Sequence, residues 1–353
     1  MRTANIVYWY GLSEMPRDGG GLRALAWHDA LMQLGFDVKI HALRAVGEGV
    51  QKPGAARKLK KALLPMPLQG ELPNMPEADL NVITVPSVFE AASRALPASS
   101  MIFDWMDLWS VNARTMGDAS IWSRPGGMFQ SLVWESRQKR LVLAPSANVF
   151  AGYQDTELSE IPGAAPGHWI PTPIKQVPRT VPTSRNRPRA VGFIGNFHYS
   201  PNVMSIRRFI DHHSENLAGR GIRIRVAGFG SEIVNTWGKP VEVLGKVDSL
   251  VDFYSGIDAA IVPIDHGGGI KAKAVEAMAY GTPVYGTEHV ASGFSPDWSA
   301  YVAPIEDLLD DNPRPPATPT SEEFSAQFSQ EAFMSSVHSL LTATGHLRRQ
   351  LVG

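Results

Sequence analysis

Apolar residues along this chain come in short runs separated by amphipathic stretches. ANIVYW (4–9) is such a run and is followed by the glycine cluster Gly19-Gly20-Gly21. LRALAWHDALMQL (22–34) then repeats apolar side chains at helical spacing and stops at Gly35, ahead of VKIHAL (38–43). Strand, glycine loop, helix and strand in that order predict a βαβ unit of parallel sheet. LNVITV (80–85), MIFDW (101–105) and LVLAP (141–145) extend the predicted strands. A second series opens near residue 190 with AVGFIG (190–195), IRIRVAG (222–228), VEVLG (241–245), DAAIVP (258–263) and TPVYG (282–286). Helical stretches such as VMSIRRFIDHH, SLVDFYSG and KAKAVEAMAY lie between them. Residues 168–190 hold five prolines and few apolar side chains, a linker signature. The tail, 321–347, reads as one long amphipathic helix after NPRPPATPT. The expected architecture is α/β, with two Rossmann-like, doubly wound domains over 1–170 and 190–320. A linker (171–189) would join them, and a C-terminal helix (321–353) would pack back toward the N-terminal domain.

Composition narrows the class. With 353 residues, 44% of them hydrophobic and 19% charged, the chain suits about two domains with real cores. The 33 basic and 34 acidic side chains give a net charge of −1, which argues against a nucleic-acid binder. No cysteine is present, so disulfides, thiolate nucleophiles and Cys-containing metal sites are excluded, and a reducing compartment is expected. The N-terminal apolar run is too short for a signal-peptide core, and no stretch of about 18 apolar residues suggests a membrane span. A cytoplasmic protein is expected. One local charge feature stands out: over residues 52–64, Lys52, Arg57, Lys58, Lys60 and Lys61 alternate with leucines and no acidic residue. That pattern fits either a solvated basic helix or one lying on an anionic membrane surface.

The most informative segment is DAAIVPIDHGGGIKAKAVEAMAYGTPV (258–284). A predicted strand ends at Pro263, a loop carries Gly267, Gly268 and Gly269, and a helix runs from about 270 to Tyr280. In open α/β sheets ligands bind at the carboxyl ends of strands, where this loop would stand. Glycines let backbone N–H groups approach an anion, and a helix N-terminus adds partial positive charge. Lys271 and Lys273 place two ammonium groups in the first helical turn, where the helix dipole disfavours cations. A bound diphosphate between them would relieve that cost. Glu276 lies among Ala274, Val275, Ala277 and Met278, an apolar setting that requires hydrogen-bond donors, such as ribose hydroxyls. Solvated lysines beside a solvated glutamate, after an ordinary glycine loop, are the plainer alternative.

Glu276-Ala277-Met278-Ala279-Tyr280-Gly281-Thr282-Pro283-Val284 resembles the end of the Glu-x7-Glu signature of family 4 retaining glycosyltransferases, enzymes of the GT-B fold. In that family the second glutamate holds the nucleotide ribose, a role the resemblance assigns to Glu276. The first glutamate of the signature would stand at 268, a glycine here, and some subgroups carry GGGxKxK in this place, as this chain does. Donor-sugar contacts would then fall to Asp265, His266 and Gly267. GFIGNFHYSPN (192–202) resembles the opening of the family's C-terminal domain, with Asn196 where a basic residue is usual. This leaves Lys271 and Lys273, with the loop at Gly268 and Gly269, as the diphosphate contacts. By the same resemblance, Gly228 and Val247 would border the nucleobase, and the loop at Gly20 and Gly21 would pack against the diphosphate and the acceptor. The likeness covers most of the chain, strongest over 190–290 and weakest over 45–165. Gly192–Gly195 alone is weak evidence for a dinucleotide enzyme, and no acidic residue follows at the required place.

Many members of the family carry a donor-facing histidine in the N-terminal domain, but this chain has none between 42 and 167. Asp104 and Asp107, at the end of MIFDW, are the catalytic candidates on the acceptor side, with a helix cap at Asp107 as the alternative. Four tryptophans, at 105, 109, 122 and 134, are candidates for stacking on sugar C–H faces, against the commoner use of indole as core. The resemblance implies a retaining, metal-independent transferase using a UDP- or GDP-sugar as co-substrate and no cofactor. Its acceptor would be a saccharide or lipid-linked glycan of bacterial surface polysaccharide synthesis. A non-catalytic relative that binds nucleotide sugar or glycan, and a nucleotide-sugar epimerase, are the alternatives.

Overall fold

The computed structural model describes residues 1–16, 18–43, 66–118, 123–175, 177, 179 and 188–347. The basic segment 52–64 lies outside the described residues, as does Trp122. The chain divides into two compact units: residues 1–173, 267–269 and 330–353 form the first, and 174–266 and 270–329 the second.

Unit 1 is a six-stranded parallel sheet with the order β2-β1-β3-β4-β5-β6. Its strands are β1 (Arg2–Tyr8), β2 (Phe36–Ala42), β3 (Leu80–Ile83), β4 (Met101–Trp105), β5 (Ala147–Phe150) and β6 (Gly167–Trp169). β1 pairs with β2 from Arg2↔Phe36 to Tyr8↔Ala42 and with β3 from Ala4↔Leu80 to Val7↔Ile83. The order therefore reverses at β1, between β2 and β3. Strands buried on both faces explain why ANIVYW and LNVITV show no alternation. On one face, Trp27 of the helix Gly19–Gln33 meets Phe333 edge-on at 5.6 Å, and Val337, Leu340 and Leu341 complete that core.

LVLAP is a correction to the predicted strands. The helix Arg124–Leu141 runs into it, and the strand lies later, at Ala147–Phe150. Leu141 and Val142 are apolar because they close the buried end of that helix, where the Val142 N–H donates to Gln138 O. The helix is also inverted relative to the usual pattern: Gln130 and Gln138 are buried, whereas Met128, Phe129 and Leu132 are exposed. The two glutamines serve as backbone partners, binding Met66 N–H and O and the Ser110 N–H.

Unit 2 is a second six-stranded parallel sheet, with the order β12-β11-β10-β7-β8-β9. Its strands are β7 (Ala190–Ile194), β8 (Arg223–Ala227), β9 (Val241–Gly245), β10 (Ala259–Val262), β11 (Val284–Gly286) and β12 (Val302–Pro304). Counted within the unit, this is the doubly wound order 3-2-1-4-5-6, which reverses between β7 and β10. Apolar clusters fill both faces: Phe253, Tyr254, Val275, Met278 and Phe328 on one, and Phe193, Ile206, Phe209, Ile224 and Tyr285 on the other.

The tail is not one helix. Ser321–Phe328 and Gln330–Ala343 are separated at Ser329, whose backbone is extended (φ −78°, ψ 166°). The first is closed by a capping box between Thr320 and Glu323 and gives Phe324 and Phe328 to the core of unit 2. The second gives Phe333, Val337, Leu340 and Leu341 to unit 1. A straight helix cannot serve two cores, so the chain breaks where the destination changes. Among the described residues, no helix is long and apolar enough to cross a membrane.

Candidate functional site

The carboxyl ends of β7 and β10, on either side of the strand-order reversal in unit 2, carry the residues of greatest interest. The helix Ala272–Ala279 follows β10, with Lys271 at its N-cap, almost fully buried. Lys273 Nζ donates to Asn202 Oδ1 at 3.0 Å and lies 5.8 Å from the centroid of the Phe193 ring. Asn202 Nδ2 in turn donates to Asn196 O at 2.9 Å. Lys273 thus reaches from the first turn of its helix into the turn after β7, and Gly195 makes room for it. A Cβ at Gly195 would stand 2.8 Å from Lys273 Cε. Burial lowers the Lys273 ammonium to about 8, a neighbouring Glu276 carboxylate works the other way, and Lys271 adds to the lowering. A cation held so close to neutrality gains most from an anion.

Glu276 faces the same helix's inner side. Its Oε1 accepts from the Tyr254 hydroxyl at 2.7 Å. Burial raises the carboxyl above the ordinary range, while Tyr254 and Lys273 hold it down. Tyr254 stacks on Tyr280, with ring centroids 4.5 Å apart and planes 18° from parallel. The half-buried carboxylate therefore has a donor, as its apolar setting required, and that donor comes from a helix 22 residues away in sequence.

Other expected residues are placed as follows. Gly228 has φ +117°, and a Cβ there would sit 2.0 Å from Gly195 O, so the loops after β7 and β8 touch backbone to backbone. Its glycine is explained by that approach, with no nucleobase needed. Val247 is partly buried against the Phe253–Met278 core. Asp265 is ion-paired with Arg208 and is therefore not an unengaged carboxylate for a donor sugar. His266 is half-buried. Gly267 (φ +94°) and Gly269 (φ +66°) adopt left-handed backbone, which accounts for their identity. The triplet 267–269 groups with unit 1, where the Gly268 N–H donates to Asn112 Oδ1 (3.1 Å) and the Gly269 N–H to Asp155 Oδ2 (3.0 Å). Both amides expected to meet a diphosphate are taken up by side chains.

In unit 1, Asp104 requires a correction. It is fully buried, with both carboxylate oxygens bound by Arg23 at 2.7–3.0 Å and Oδ2 also accepting from Trp27 Nε1 at 2.8 Å. No acceptor reaches it; it pins the helix Gly19–Gln33 to β4. Asp107 lies half-buried in the bend before the helix Trp109–Asp118. Burial raises the Tyr8 phenol strongly, with Asp18, Tyr10 and Asp107 adding to it. The Gly21 N–H donates to Asp18 Oδ1 at 2.9 Å, an N-cap that already sets a carboxylate at this helix terminus. A Cβ at Gly20 would lie 2.6 Å from the Tyr8 hydroxyl, and one at Gly21 would lie 2.0 Å from Pro16 O. Close packing explains both glycines. Trp105 and Trp134 are fully buried and Trp109 nearly so, which makes them core.

Sequence reasoning missed Arg23, Tyr254 and Asn202. A lone arginine in the apolar repeat LRALAW, four residues before Trp27, was the available signal for the first. The other two are apparent only in three dimensions.

Comparison with known proteins fits this geometry. Residues 188–308 match the family described as Glycosyl transferases group 1. Among solved structures, sucrose-phosphate synthase from Thermosynechococcus elongatus superposes with a TM-score of 0.62 at 14% identity, covering 98% of this chain and 100% of that one. Trehalose 6-phosphate synthase from Burkholderia multivorans gives 0.57 at 11% identity, covering 98% and 99%. HepE from Anabaena, in complex with UDP-glucose, gives 0.53 at 14% identity, covering 97% and 100%. No curated protein sequence matches. Residues 188–308 of unit 2 are thus similar to the Glycosyl transferases group 1 family, and the chain as a whole has the two-Rossmann GT-B fold.

Proposed function

We propose that this protein is a retaining glycosyltransferase that moves a sugar from a nucleoside-diphosphate sugar to an acceptor hydroxyl. The acceptor is a saccharide or a lipid-linked glycan, met at the cytoplasmic face of the membrane when it is lipid-linked. The observation that carries this reading is the pairing of Glu276 with Tyr254 on the helix that also bears Lys271 and Lys273, at the reversal point of a doubly wound sheet. One carboxylate oxygen is engaged by the phenol, and the other suits a ribose diol. The domain match over residues 188–308 supports the same reading.

In this mechanism Lys273 and Lys271 neutralise the diphosphate as the bond to the anomeric carbon breaks, which favours an oxocarbenium-like transition state. The departing phosphate takes the acceptor proton, so no separate base is required. Asp107 is the carboxylate on the acceptor side; Asp104 has no part in the chemistry.

The reading is tested by thermal unfolding with UDP, GDP, ADP and dTDP, followed by product analysis with the matching nucleotide sugar. HepE, of the same fold, holds UDP-glucose, so UDP-sugars come first. A ligand at about 100 times its Kd adds about 2.7 kcal/mol of stability, a readily visible shift. A shift from one nucleotide that disappears in Lys271→Ala is expected. No shift from any of the four would defeat the proposal.

A further inference from the structure

Three indoles in unit 1 form a row from the core to the surface. Trp134, in the helix Arg124–Leu141, is fully buried. Trp109 stands edge-on to it, with ring centroids 5.0 Å apart and an interplanar angle of 76°. Trp9 stacks on Trp109, with ring centroids 6.3 Å apart and planes only 3° from parallel, and retains 37% of its surface exposed. Core packing explains the inner two but not the third. Trp9 leaves apolar surface in water, and so do Tyr10 at 46% and, opening the short helical turn Leu12–Glu14, Leu12 at 53%. A single exposed apolar residue is ordinary, whereas three within four positions make a patch.

Position and rigidity give the patch meaning. Trp9 directly follows β1, at the carboxyl edge where the order of sheet 1 reverses. Ligands of open α/β sheets gather at such points. The parallel stack on Trp109 fixes the orientation of the outer indole, so little freedom is lost when a flat partner covers it. The indole presents an uncharged, electron-rich face, which suits a C–H surface better than a phosphate. A pyranose ring fits: its C–H face meets the indole, and its hydroxyls remain free for the Tyr10 phenol and water.

We propose that Trp9, backed by Trp109 and flanked by Tyr10, is the stacking wall of a saccharide subsite in unit 1. The ring it takes belongs to the acceptor; that word rests on the glycosyltransferase reading, while the binding itself does not.

The test is saturation-transfer NMR on the full chain with maltose, lactose, chitobiose and mannobiose as probes, comparing wild type, Trp9→Ala and Trp9→Phe. At least one disaccharide should show transfer concentrated on ring C–H protons. Its affinity should fall about tenfold in Trp9→Ala and stay within about threefold in Trp9→Phe. UDP binding, read in the same samples, reports separately on folding and on the donor site. Undiminished disaccharide binding by Trp9→Ala overturns the proposal, as does the absence of transfer from all probes to the wild type. Failure of UDP to bind the wild type counts instead against the nucleotide-sugar reading and leaves the Trp9 result to be judged alone.

Discussion

The Tyr254 hydroxyl donates to Glu276 Oε1 at 2.7 Å at the edge of the unit 2 core, which makes a half-buried carboxylate tolerable. Burial still raises the Glu276 pKa above its ordinary 4.5, so the folded state holds this proton more tightly than the unfolded chain. The associated stability is complete at low pH and is lost as pH climbs from about 4.5 through the raised value. Glu276→Gln removes that loss. The variant should therefore melt no lower than wild type at pH 7, yet bind nucleoside diphosphates about 2 kcal/mol more weakly, the scale of a charged hydrogen bond. Calorimetric titration together with melting curves at pH 5 and 7 would check both halves.

Lys273 gives the opposite slope. Its pKa is lowered from 10.5 to about 8, so between those values the folded protein binds fewer protons than the unfolded one, and stability rises with pH across that window. Lys273→Met should flatten the rise and stabilise the unliganded protein below pH 8. A bound diphosphate favours the ammonium, so nucleotide affinity should decline above pH 8, with proton uptake on binding. Titrations in two buffers of different ionisation enthalpy would reveal it; identical heats above pH 8 would refute it.

Asp104 and Asp107 should separate cleanly. Asp104→Ala leaves the Arg23 guanidinium buried without its partner, a loss of about 3–5 kcal/mol. Asp107→Asn should lower turnover with a much smaller loss of melting temperature than Asp104→Ala. If Asp104→Ala melts normally and only loses activity, the structural role given to that ion pair is wrong.

Gly228→Ala places a Cβ against Gly195 O on backbone with φ +117°. The expected penalty exceeds about 1 kcal/mol, measurable by urea denaturation, whether or not nucleotide is present. A role confined to the nucleobase would instead leave the free protein's stability unchanged.

Much of this arrangement could be read from the sequence wherever the determinants were local. Lys271, Lys273 and Glu276 share one helix, and their conflict with the helix dipole and with an apolar face is visible without any structure. The strands ANIVYW and AVGFIG were equally plain, because both faces of a parallel strand are buried. Periodicity failed where burial was inverted. Gln130 and Gln138 point inward to hold backbone groups while Met128 and Phe129 face water, so the helix Arg124–Leu141 shows little amphipathic pattern. β6 and β12, three residues each, are too short to produce a period. Asp104 was misread because its partner, Arg23, lies 81 residues away. A carboxylate at a strand end looks the same in sequence whether it waits for substrate or for an arginine.

The break at Ser329 also bears on how the protein is made. Apart from its glycine triplet, unit 1 is completed only by the helix Gln330–Ala343, whereas residues 174–329 supply nearly everything unit 2 needs. In chain order, every residue of unit 2 has been laid down by Ser329, while the first unit still lacks Phe333, Val337, Leu340 and Leu341. A chain shortened at residue 329 would thus damage the part synthesised first and spare the part synthesised last.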